Sequence, residues 1–275
     1  MTVPILATPR TRMPRLGLGT WPMAGAECQA AVEGAIGLGY RHIDTAEMYR
    51  NEAAIGAAIR ASGVAREALY VTTKVWFDKP DEASFRAAAE GCLRRLGLDH
   101  VDLLLVHWPS PSLDLPGVLR AQAGLLAAGR ARAVGVANFP AGLLRRAVEA
   151  AIVPLACVQV EHHVYLDQRR LLEYAGTQGI ILTSYTPVAK GAVAEDPVIR
   201  AIAARHGATP GQVALAWLLA MPGVAAIPKA ASAERQAENL AAAALVLEAA
   251  DLAALAALPK GRRLVDPGFA PDWTA

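Results

Sequence analysis

The sequence of 275 residues predicts a (β/α)8 barrel of the α/β class, a TIM barrel, with an N-terminal β-hairpin and an irregular C-terminal tail. Two observations predict this fold. Short apolar runs rich in β-branched residues alternate with stretches of helical spacing, and eight such runs occur, each followed by a helical stretch. No Pro/Gly/Ser-rich linker or long block of charge divides the chain, so we expect a single domain over residues 1–275.

The predicted elements follow one another in a regular order. The first segment, residues 3–14, contains a turn-like PRTR between two short apolar pieces, which indicates a β-hairpin that closes the bottom of the barrel. The last segment, residues 259–275, has neither helical nor strand spacing. It should lie over the surface, near the rim of the barrel at which the strands end. The eight predicted strands lie at residues 15–19, 41–45, 69–75, 101–108, 132–138, 156–162, 179–185 and 224–229.

The stretch between Asp81 and Leu98 illustrates the helical spacing. Its apolar residues fall on one face of a helix, and its charges keep largely to the other side. The apolar face consists of Phe85, Ala89, Cys92, Leu93 and Leu96, and the charges are Glu82, Arg86, Glu90 and Arg94.

Composition excludes several classes of protein. The formal charge of +2 is spread without basic clusters, which gives no footprint for nucleic acid or an acidic membrane. No apolar run approaches the length of a membrane span, and the N-terminus lacks the regions of a signal peptide, so we expect a cytoplasmic protein. We also expect it to be a monomer. The three cysteines, Cys28, Cys92 and Cys157, are far apart, which favours reduced packing thiols over disulfides or a metal cluster.

Ionisable side chains stand at the ends of three consecutive predicted strands. They are Asp44, Lys74 and His107, and Tyr49 follows Asp44 by five residues. If the strands lie parallel and adjacent, all four side chains converge at one rim and form a single proton-transfer site. Taken singly, Tyr49 is a packing residue, Lys74 with Asp44 is a structural ion pair, and His107 is a core histidine. Their conjunction favours the catalytic interpretation.

Several ordered motifs resemble those of the aldo-keto reductase family. GYRHIDTAEMYRNEAAIG at 39–56, TKVW at 73–76, HWP at 107–109 and IPK at 227–229 carry the resemblance, which extends over essentially the whole chain. Within the family, the short loops and the ending RRLVDPGFAPDW resemble the bacterial diketogluconate reductases of the B type. The resemblance implies a single-domain barrel that reduces aldehydes or ketones to alcohols with NADPH.

The resemblance also implies a role for each of the four ionisable residues. Tyr49 matches the proton donor. Lowering the pKa of a phenol from about 10 by roughly two units requires about 3 kcal/mol of preferential stabilisation of the phenolate. Lys74 can supply this stabilisation as a nearby cation, and Asp44 can hold the ammonium in place. His107 is then free to orient the substrate carbonyl.

A dinucleotide site of the Rossmann type is not expected, because Gly17 and Gly19 are followed by Pro22 where the third glycine would stand. The resemblance instead implies a cofactor lying across the barrel mouth. Its 2′-phosphate would meet Lys229 and Arg235 near a helix N-terminus, which favours NADPH over NADH. The implied cofactor residues are Gly19, Thr20, Asp44, Asn138, Gln159, Tyr185, Lys229, Ser232, Arg235, Glu238 and Asn239.

Two implied cofactor contacts depart from the family pattern. Ala230 stands where a serine often touches the phosphate, and Ser232 is expected to contribute in its place. Ala137 likewise replaces a common serine beside Asn138. Asn138 and Gln159 are expected to hold the nicotinamide carboxamide, and Tyr185 to stack on the ring.

The substrate pocket is predicted from aromatic residues. Trp21, Trp76 and Trp108 follow strand ends and should form its walls, with core filling as the other interpretation of Trp76. Trp273, in the tail, should pack beside the rim, with a disordered terminus as the other interpretation. The substrate-binding residues are predicted to be Trp21, Tyr49, Trp76, His107, Trp108 and Trp273, and the substrate a small polar carbonyl such as diketogluconate or methylglyoxal. No metal is expected, since His162 and His163 would point to opposite faces of a strand.

Two other classes of function stay open. A lysine-dependent aldolase would use Lys74 as a Schiff-base nucleophile, but it would not need the later pair of Lys229 and Arg235. A non-catalytic regulatory subunit with a reductase fold would also bind NADPH. Cofactor binding separates the reductase from the aldolase, and turnover of a simple dicarbonyl separates it from the regulatory subunit.

Overall fold

The computed structural model describes residues 3–274 and confirms the predicted N-terminal hairpin. Strands β1 (Ile5–Thr8) and β2 (Thr11–Pro14) pair antiparallel around a two-residue turn. Met13 is fully buried, and the Thr11 hydroxyl lies 2.8 Å from the hydroxyl of Tyr70. Because Tyr70 begins a barrel strand, the hairpin closes the end of the barrel where the parallel strands start.

Eight parallel strands form the barrel, as predicted. Each pairs with the next along the chain, and bridges from Leu16 to Ala226 and from Gly19 to Lys229 close the sheet. A Cβ at Gly19 would lie 2.6 Å from the carbonyl oxygen of Ile227, so the closure requires glycine there. The strands are β3 (Leu18–Gly19), β4 (His42–Asp44), β5 (Tyr70–Val75), β6 (Leu103–Val106), β7 (Val134–Ala137), β8 (Leu155–Glu161), β9 (Ile181–Tyr185) and β10 (Val224–Ala226).

Helices surround the barrel and return the chain to the start of each next strand. They are α1 (Gly25–Leu38), α2 (Glu52–Ala61), α3 (Glu82–Leu96), α4 (Leu115–Ala127), α5 (Ala141–Glu149), α6 (Arg169–Thr177), α7 (Pro197–His206), α8 (Pro210–Ala220), α9 (Ala233–Ala241) and α10 (Ala249–Ala256). Short 3-10 turns lie at Glu47–Tyr49, Arg66–Ala68, Ala189–Ala194 and Ala242–Ala244.

Helix α3 shows how local sequence sets the limits of a helix. The Asp81 side chain accepts a hydrogen bond from the Ser84 backbone N–H, which caps the N-terminus, and Gly97 ends the helix with a φ of 65°. All five residues of the predicted apolar face are buried. The sequence prediction for this helix is therefore confirmed.

The core has two layers. The inner layer fills the barrel with strand side chains such as Leu103, Leu105 and Cys157, closed from below by Met13. The outer and larger layer lies between the strands and the helices. The three cysteines are free and buried, as expected of packing thiols.

The chain from residue 259 to 274 forms neither helix nor strand, and it contacts the barrel mouth through the hydrogen bonds of Leu264 and Val265 with Glu161. Among residues 3–274, no single helix is long and apolar enough to cross a membrane. Only the bent pair Ala233–Ala244 and Ala249–Ala256, taken together, reaches the necessary length and composition, with 116° between its halves.

Candidate active site

The structure brings the four predicted catalytic residues together at the C-terminal end of the barrel. Asp44 ends β4, Lys74 lies next to the end of β5, and His107 directly follows β6. Because these strands are parallel neighbours, their ends share one rim. Tyr49 is carried by the 3-10 turn that begins three residues after Asp44. The convergence that the sequence predicts is therefore present.

Lys74 is the centre of this cluster. Its side chain has no exposed surface, and its ammonium lies 2.5 Å from Asp44 Oδ1, 2.9 Å from the Thr45 carbonyl oxygen and 3.4 Å from the Tyr49 hydroxyl. An ammonium has three N–H donors, so these three acceptors satisfy it completely. A buried cation is tolerated only with such partners.

Burial and charge act against each other on these groups. Burial lowers the pKa of Lys74, but the Asp44 carboxylate and the Tyr49 oxygen outweigh it, so the pKa of Lys74 is above its ordinary value. Burial raises the pKa of Tyr49, and the Lys74 charge opposes that rise without cancelling it. The lysine thus acts on the phenol in the expected direction, but the net pKa of Tyr49 is raised rather than lowered.

Burial holds His107 in its neutral form. It lowers the pKa of His107 well below the ordinary value, and the nearby Lys74 charge acts in the same direction. Nδ1 is buried and has no hydrogen-bond partner among residues 3–274, which leaves Nε2 as the ring nitrogen with access to the cavity. The imidazole ring lies edge-on to Tyr49, with 5.6 Å between the ring centroids.

Two buried amides lie beside the candidate catalytic cluster of Asp44, Tyr49, Lys74 and His107. Gln159 Nε2 donates to Asp44 Oδ2 at 2.8 Å, so Asp44 bridges Lys74 and Gln159. Asn138 donates to the His107 carbonyl oxygen at 2.9 Å and accepts from the Tyr185 hydroxyl at 2.7 Å. Both amides were predicted to hold a carboxamide, and each keeps hydrogen-bonding capacity beyond these contacts.

A cavity of about 630 Å³ opens above the cluster. Its lining includes most of the residues predicted for cofactor and substrate near the strand ends: Gly19, Thr20, Trp21, Asp44, Tyr49, His107, Trp108, Asn138, Gln159, Tyr185 and Lys229. Trp21 is half exposed and its ring lies 5.2 Å from that of Tyr49. Thr20 donates its hydroxyl hydrogen to the Asp44 carbonyl oxygen at 2.8 Å, which ties the first strand to the site.

The predicted phosphate-binding residues lie beyond the strand that carries Lys229. Ser232 caps α9 by accepting from the Arg235 backbone N–H, and the exposed Arg235 guanidinium lies 3.1 Å from Glu238. Asn239 is buried on the same helix. Of this group only Lys229 lines the cavity, so the α9 residues stand apart from the candidate catalytic cluster.

Two of the predicted substrate residues do not line the cavity. The partly exposed Trp76 ring packs edge-on against that of His107, with 5.0 Å between the ring centroids. Trp273 packs against Trp108 at 6.0 Å, as expected, but it lines a neighbouring cavity of about 350 Å³ together with Arg263.

Sequence reasoning did not identify three residues that shape the site. Phe269 packs against Trp76, Phe77 and Trp108, with ring centroids 5.6, 4.4 and 5.5 Å away. Val265 lines the main cavity. Asn51 is buried and accepts from the Thr45 hydroxyl at 2.6 Å, which steadies the loop that contacts Lys74. Neither tail residue lies in a periodic pattern, so no sequence signal marked them.

Comparison with known proteins agrees with this geometry. Residues 15–260 match the model of the aldo/keto reductase family. Methylglyoxal reductase DkgB of Salmonella typhimurium is 41% identical over 266 residues, covering 95% of this chain and 99% of that protein. The aldo/keto reductase slr0942 of Synechocystis is 36% identical, covering 96% and 90%.

Solved structures give the same result. A crystal structure provisionally assigned as a 2,5-diketo-D-gluconic acid reductase B superposes with a TM-score of 0.93 at 41% identity, covering 96% of this chain and 94% of that one. A silkworm aldo-keto reductase in complex with NADPH superposes with a TM-score of 0.90 at 32% identity, covering 98% and 91%. Fold, site and comparisons together define a barrel oxidoreductase. More narrowly, the chain belongs to the aldo/keto reductase family.

Proposed function

We propose that this chain uses NADPH to reduce small polar dicarbonyls or keto sugars, such as methylglyoxal or 2,5-diketo-D-gluconate. The observation that carries the proposal is the buried Lys74 ammonium, which contacts both the Asp44 carboxylate and the Tyr49 hydroxyl beneath an open cavity. The substrate class is supported by relatives named methylglyoxal reductase and by a structural neighbour described as a diketogluconate reductase.

Tyr49 is proposed as the proton donor. Because burial raises the pKa of Tyr49, the phenol keeps its proton at neutral pH, as a general acid must before it reacts. Once the proton has moved to the substrate oxygen, the phenolate gains a cation 3.4 Å away in Lys74. That stabilisation favours the transfer, because it exists only after charge has developed on the phenol.

His107 is proposed to orient the carbonyl. A neutral imidazole can donate from Nε2 to the substrate oxygen without competing as an acid, since the pKa of His107 is well below neutrality. Its position beside Tyr49 lets both groups address the same oxygen atom. Trp76 packs edge-on against the His107 ring.

The residues present fit a nicotinamide cofactor. Gln159 and Asn138 line the cavity floor with unused donor and acceptor capacity, which matches the primary amide of a nicotinamide. When bound, the reduced cofactor supplies the hydride that adds to the carbonyl carbon. Tyr185, with its hydroxyl held by Asn138, presents its ring as a packing surface.

NADPH preference is proposed from the cationic end of the cavity. Lys229 is exposed at the end of the last strand, and Arg235 follows in the first turn of α9. A 2′-phosphate is a dianion that a lysine and an arginine at a helix N-terminus bind well. Ser232 accepts a backbone hydrogen bond and still has its own hydroxyl hydrogen to donate, which compensates for Ala230.

The geometry of Lys74 disfavours the aldolase alternative. A Schiff-base lysine must be a free, neutral amine. Lys74 is paired with Asp44, also donates to Thr45, and has a raised pKa, so it stays an ammonium.

The test is a panel of carbonyl compounds with each reduced coenzyme. We expect methylglyoxal and diketogluconate to oxidise NADPH faster than NADH, and bulky steroid-like ketones to be poor substrates. Binding of NADPH without turnover of any dicarbonyl would instead favour a regulatory subunit. Absence of both binding and turnover would remove the proposal.

A further inference from the structure

Glu161 is a buried carboxylate that the catalytic proposal does not use. It ends strand β8 at the barrel mouth and has no exposed surface. Oε1 accepts from the Leu264 backbone N–H at 2.7 Å and lies 2.9 Å from His163 Nε2. Oε2 accepts from the Val265 backbone N–H at 2.9 Å and lies 3.8 Å from Arg263.

The partners of Glu161 come mostly from the C-terminal tail. Of the four groups around its carboxylate, those of Arg263, Leu264 and Val265 belong to the tail, and only His163 belongs to the barrel strand region. A fully buried carboxylate is costly unless hydrogen bonds and a countercharge compensate it. Without the docked tail, the Glu161 carboxylate would keep only the His163 contact and would lose both backbone hydrogen bonds and the Arg263 countercharge.

A second contact holds the same peptide from the other side. Lys190 donates to the Leu264 carbonyl oxygen at 3.0 Å, and Lys190 also lines the main cavity. The Leu264 backbone is thus bound at its N–H by β8 and at its carbonyl by the loop after β9. A segment that is neither helix nor strand has no regular backbone hydrogen bonds, so it needs such contacts to keep one conformation.

The tail residues that follow the Leu264 peptide contact the cavity rim. Val265 lines the cavity, and Phe269, four residues later, packs on Trp76 and Trp108. Arg263 stacks on the Trp273 ring, with 3.6 Å from Cζ to the ring centroid. Val265, Phe269 and Trp273 thus lie within ten residues of the backbone that Glu161 holds.

We propose that Glu161, together with Lys190, is a positioning residue that docks the tail and so forms the wall against which a small carbonyl substrate binds. The substrate part of this inference rests on the proposed reductase function. Glu161 acts through Val265 and Phe269 rather than on the reacting atoms. We call the contacts of Glu161 and Lys190 with Leu264 and Val265 the clamp. The clamp therefore affects substrate affinity and size preference more than the rate of the chemical step.

The test compares Glu161→Gln and Lys190→Met with Asp102→Asn in the full chain. Glutamine matches glutamate in shape, but its NH2 faces a backbone N–H and cannot accept from it. Asp102 is a matched control because it is also buried and accepts a backbone hydrogen bond, from Val71, at the opposite end of the barrel.

The first measurement is trypsin cleavage after Arg263, followed by the mass of the released C-terminal peptide. We expect both tail variants to be cleaved at least about tenfold faster than the wild-type chain and the control, since a charge-assisted hydrogen bond is lost. Cleavage at the wild-type rate in both variants would overturn the clamp. This measurement does not depend on activity, so it stands even if the proposed function fails.

The second measurement is the split between KM and kcat for methylglyoxal. We expect KM to rise about tenfold in Glu161→Gln with kcat changed less than about threefold, and Asp102→Asn to leave KM unchanged. The double variant Glu161→Gln/Lys190→Met should raise KM by less than the product of the two single rises, because both side chains hold the same Leu264 peptide. The positioning role would be contradicted if Asp102→Asn lost as much kcat as Glu161→Gln. It would also be contradicted if the rise in KM of the double variant equalled the product of the two single rises.

Discussion

The Lys74 ammonium lies 3.4 Å from the Tyr49 hydroxyl while it is also paired with Asp44 at 2.5 Å. The lysine therefore contacts the phenol as an already neutralised cation. This explains why burial raises the pKa of Tyr49 despite a positive charge nearby. The arrangement suits a group that must keep its proton until substrate is bound and then stabilise the resulting anion.

Replacing the phenol tests its role as proton donor. We expect Tyr49→Phe to abolish carbonyl reduction, with a loss of at least about a hundredfold in kcat, while NADPH binding stays nearly intact. Turnover and coenzyme titration are measured on the same preparation. Tyr174→Phe, on the outer helix α6, is the matched control and should keep full activity. Near-normal turnover by Tyr49→Phe would remove this residue from the mechanism.

The charge on Lys74 should determine both rate and pH profile. Reduction needs the protonated phenol, so activity falls as pH rises through the pKa of Tyr49, and the Lys74 charge lowers that pKa. We expect Lys74→Met to reduce kcat on the order of a hundredfold near neutrality and to move the alkaline fall in activity to higher pH. An unchanged pH profile would refute the coupling between the two groups.

Coenzyme preference is tested at Arg235, whose exposed guanidinium has only Glu238 as its partner among the described residues. We expect Arg235→Ala to weaken NADPH binding by roughly 1 to 3 kcal/mol, the size of a charge-assisted hydrogen bond, and to affect NADH much less. Arg120→Ala, which breaks an exposed ion pair with Glu82, is the control. Equal losses for both coenzymes in titrations would show that Arg235 does not bind the 2′-phosphate.

The tail should affect substrate more than coenzyme. We expect deletion of residues 267–275 to raise KM for small dicarbonyls more than it changes NADPH affinity. Because Phe269 packs on Trp76 and Trp108 whereas Trp273 lines the neighbouring cavity, Phe269→Ala should raise KM more than Trp273→Ala. Wild-type KM in the shortened enzyme, across a substrate panel, would show that the tail is not part of the pocket.

Acid should destabilise the fold through buried histidine. Burial lowers the pKa of His162 to about 3, and His163 acts in the same direction. Between about pH 6.5, the ordinary pKa of histidine, and the lowered pKa of His162, the unfolded chain binds a proton at this residue and the folded chain does not. The free energy of unfolding therefore falls by about 1.4 kcal/mol for each unit by which the pH falls. Measured by urea unfolding at about pH 7 and about pH 5, the free energy of unfolding should fall by about 2 kcal/mol less in His162→Gln than in the wild-type chain. Equal losses would contradict this.

The sequence by itself was sufficient for the barrel and for the candidate catalytic cluster. Strand and helix periods are local, and parallel strand order follows chain order, so the sequence alone predicts that Asp44, Lys74 and His107 meet at one rim. The hairpin was equally predictable, because its turn residues and apolar flanks are adjacent in the chain.

Only the tertiary structure decided the contacts that join distant segments. Gln159 donates to Asp44 across 115 positions, and Glu161 accepts from Val265 across 104, and neither pair leaves a periodic trace in the sequence. The direction of the pKa shift of Tyr49 also depends on the balance of burial and charge in three dimensions. The irregular tail has no period to predict from, so the placement of Phe269 on the rim and of Trp273 in a separate cavity depends entirely on packing.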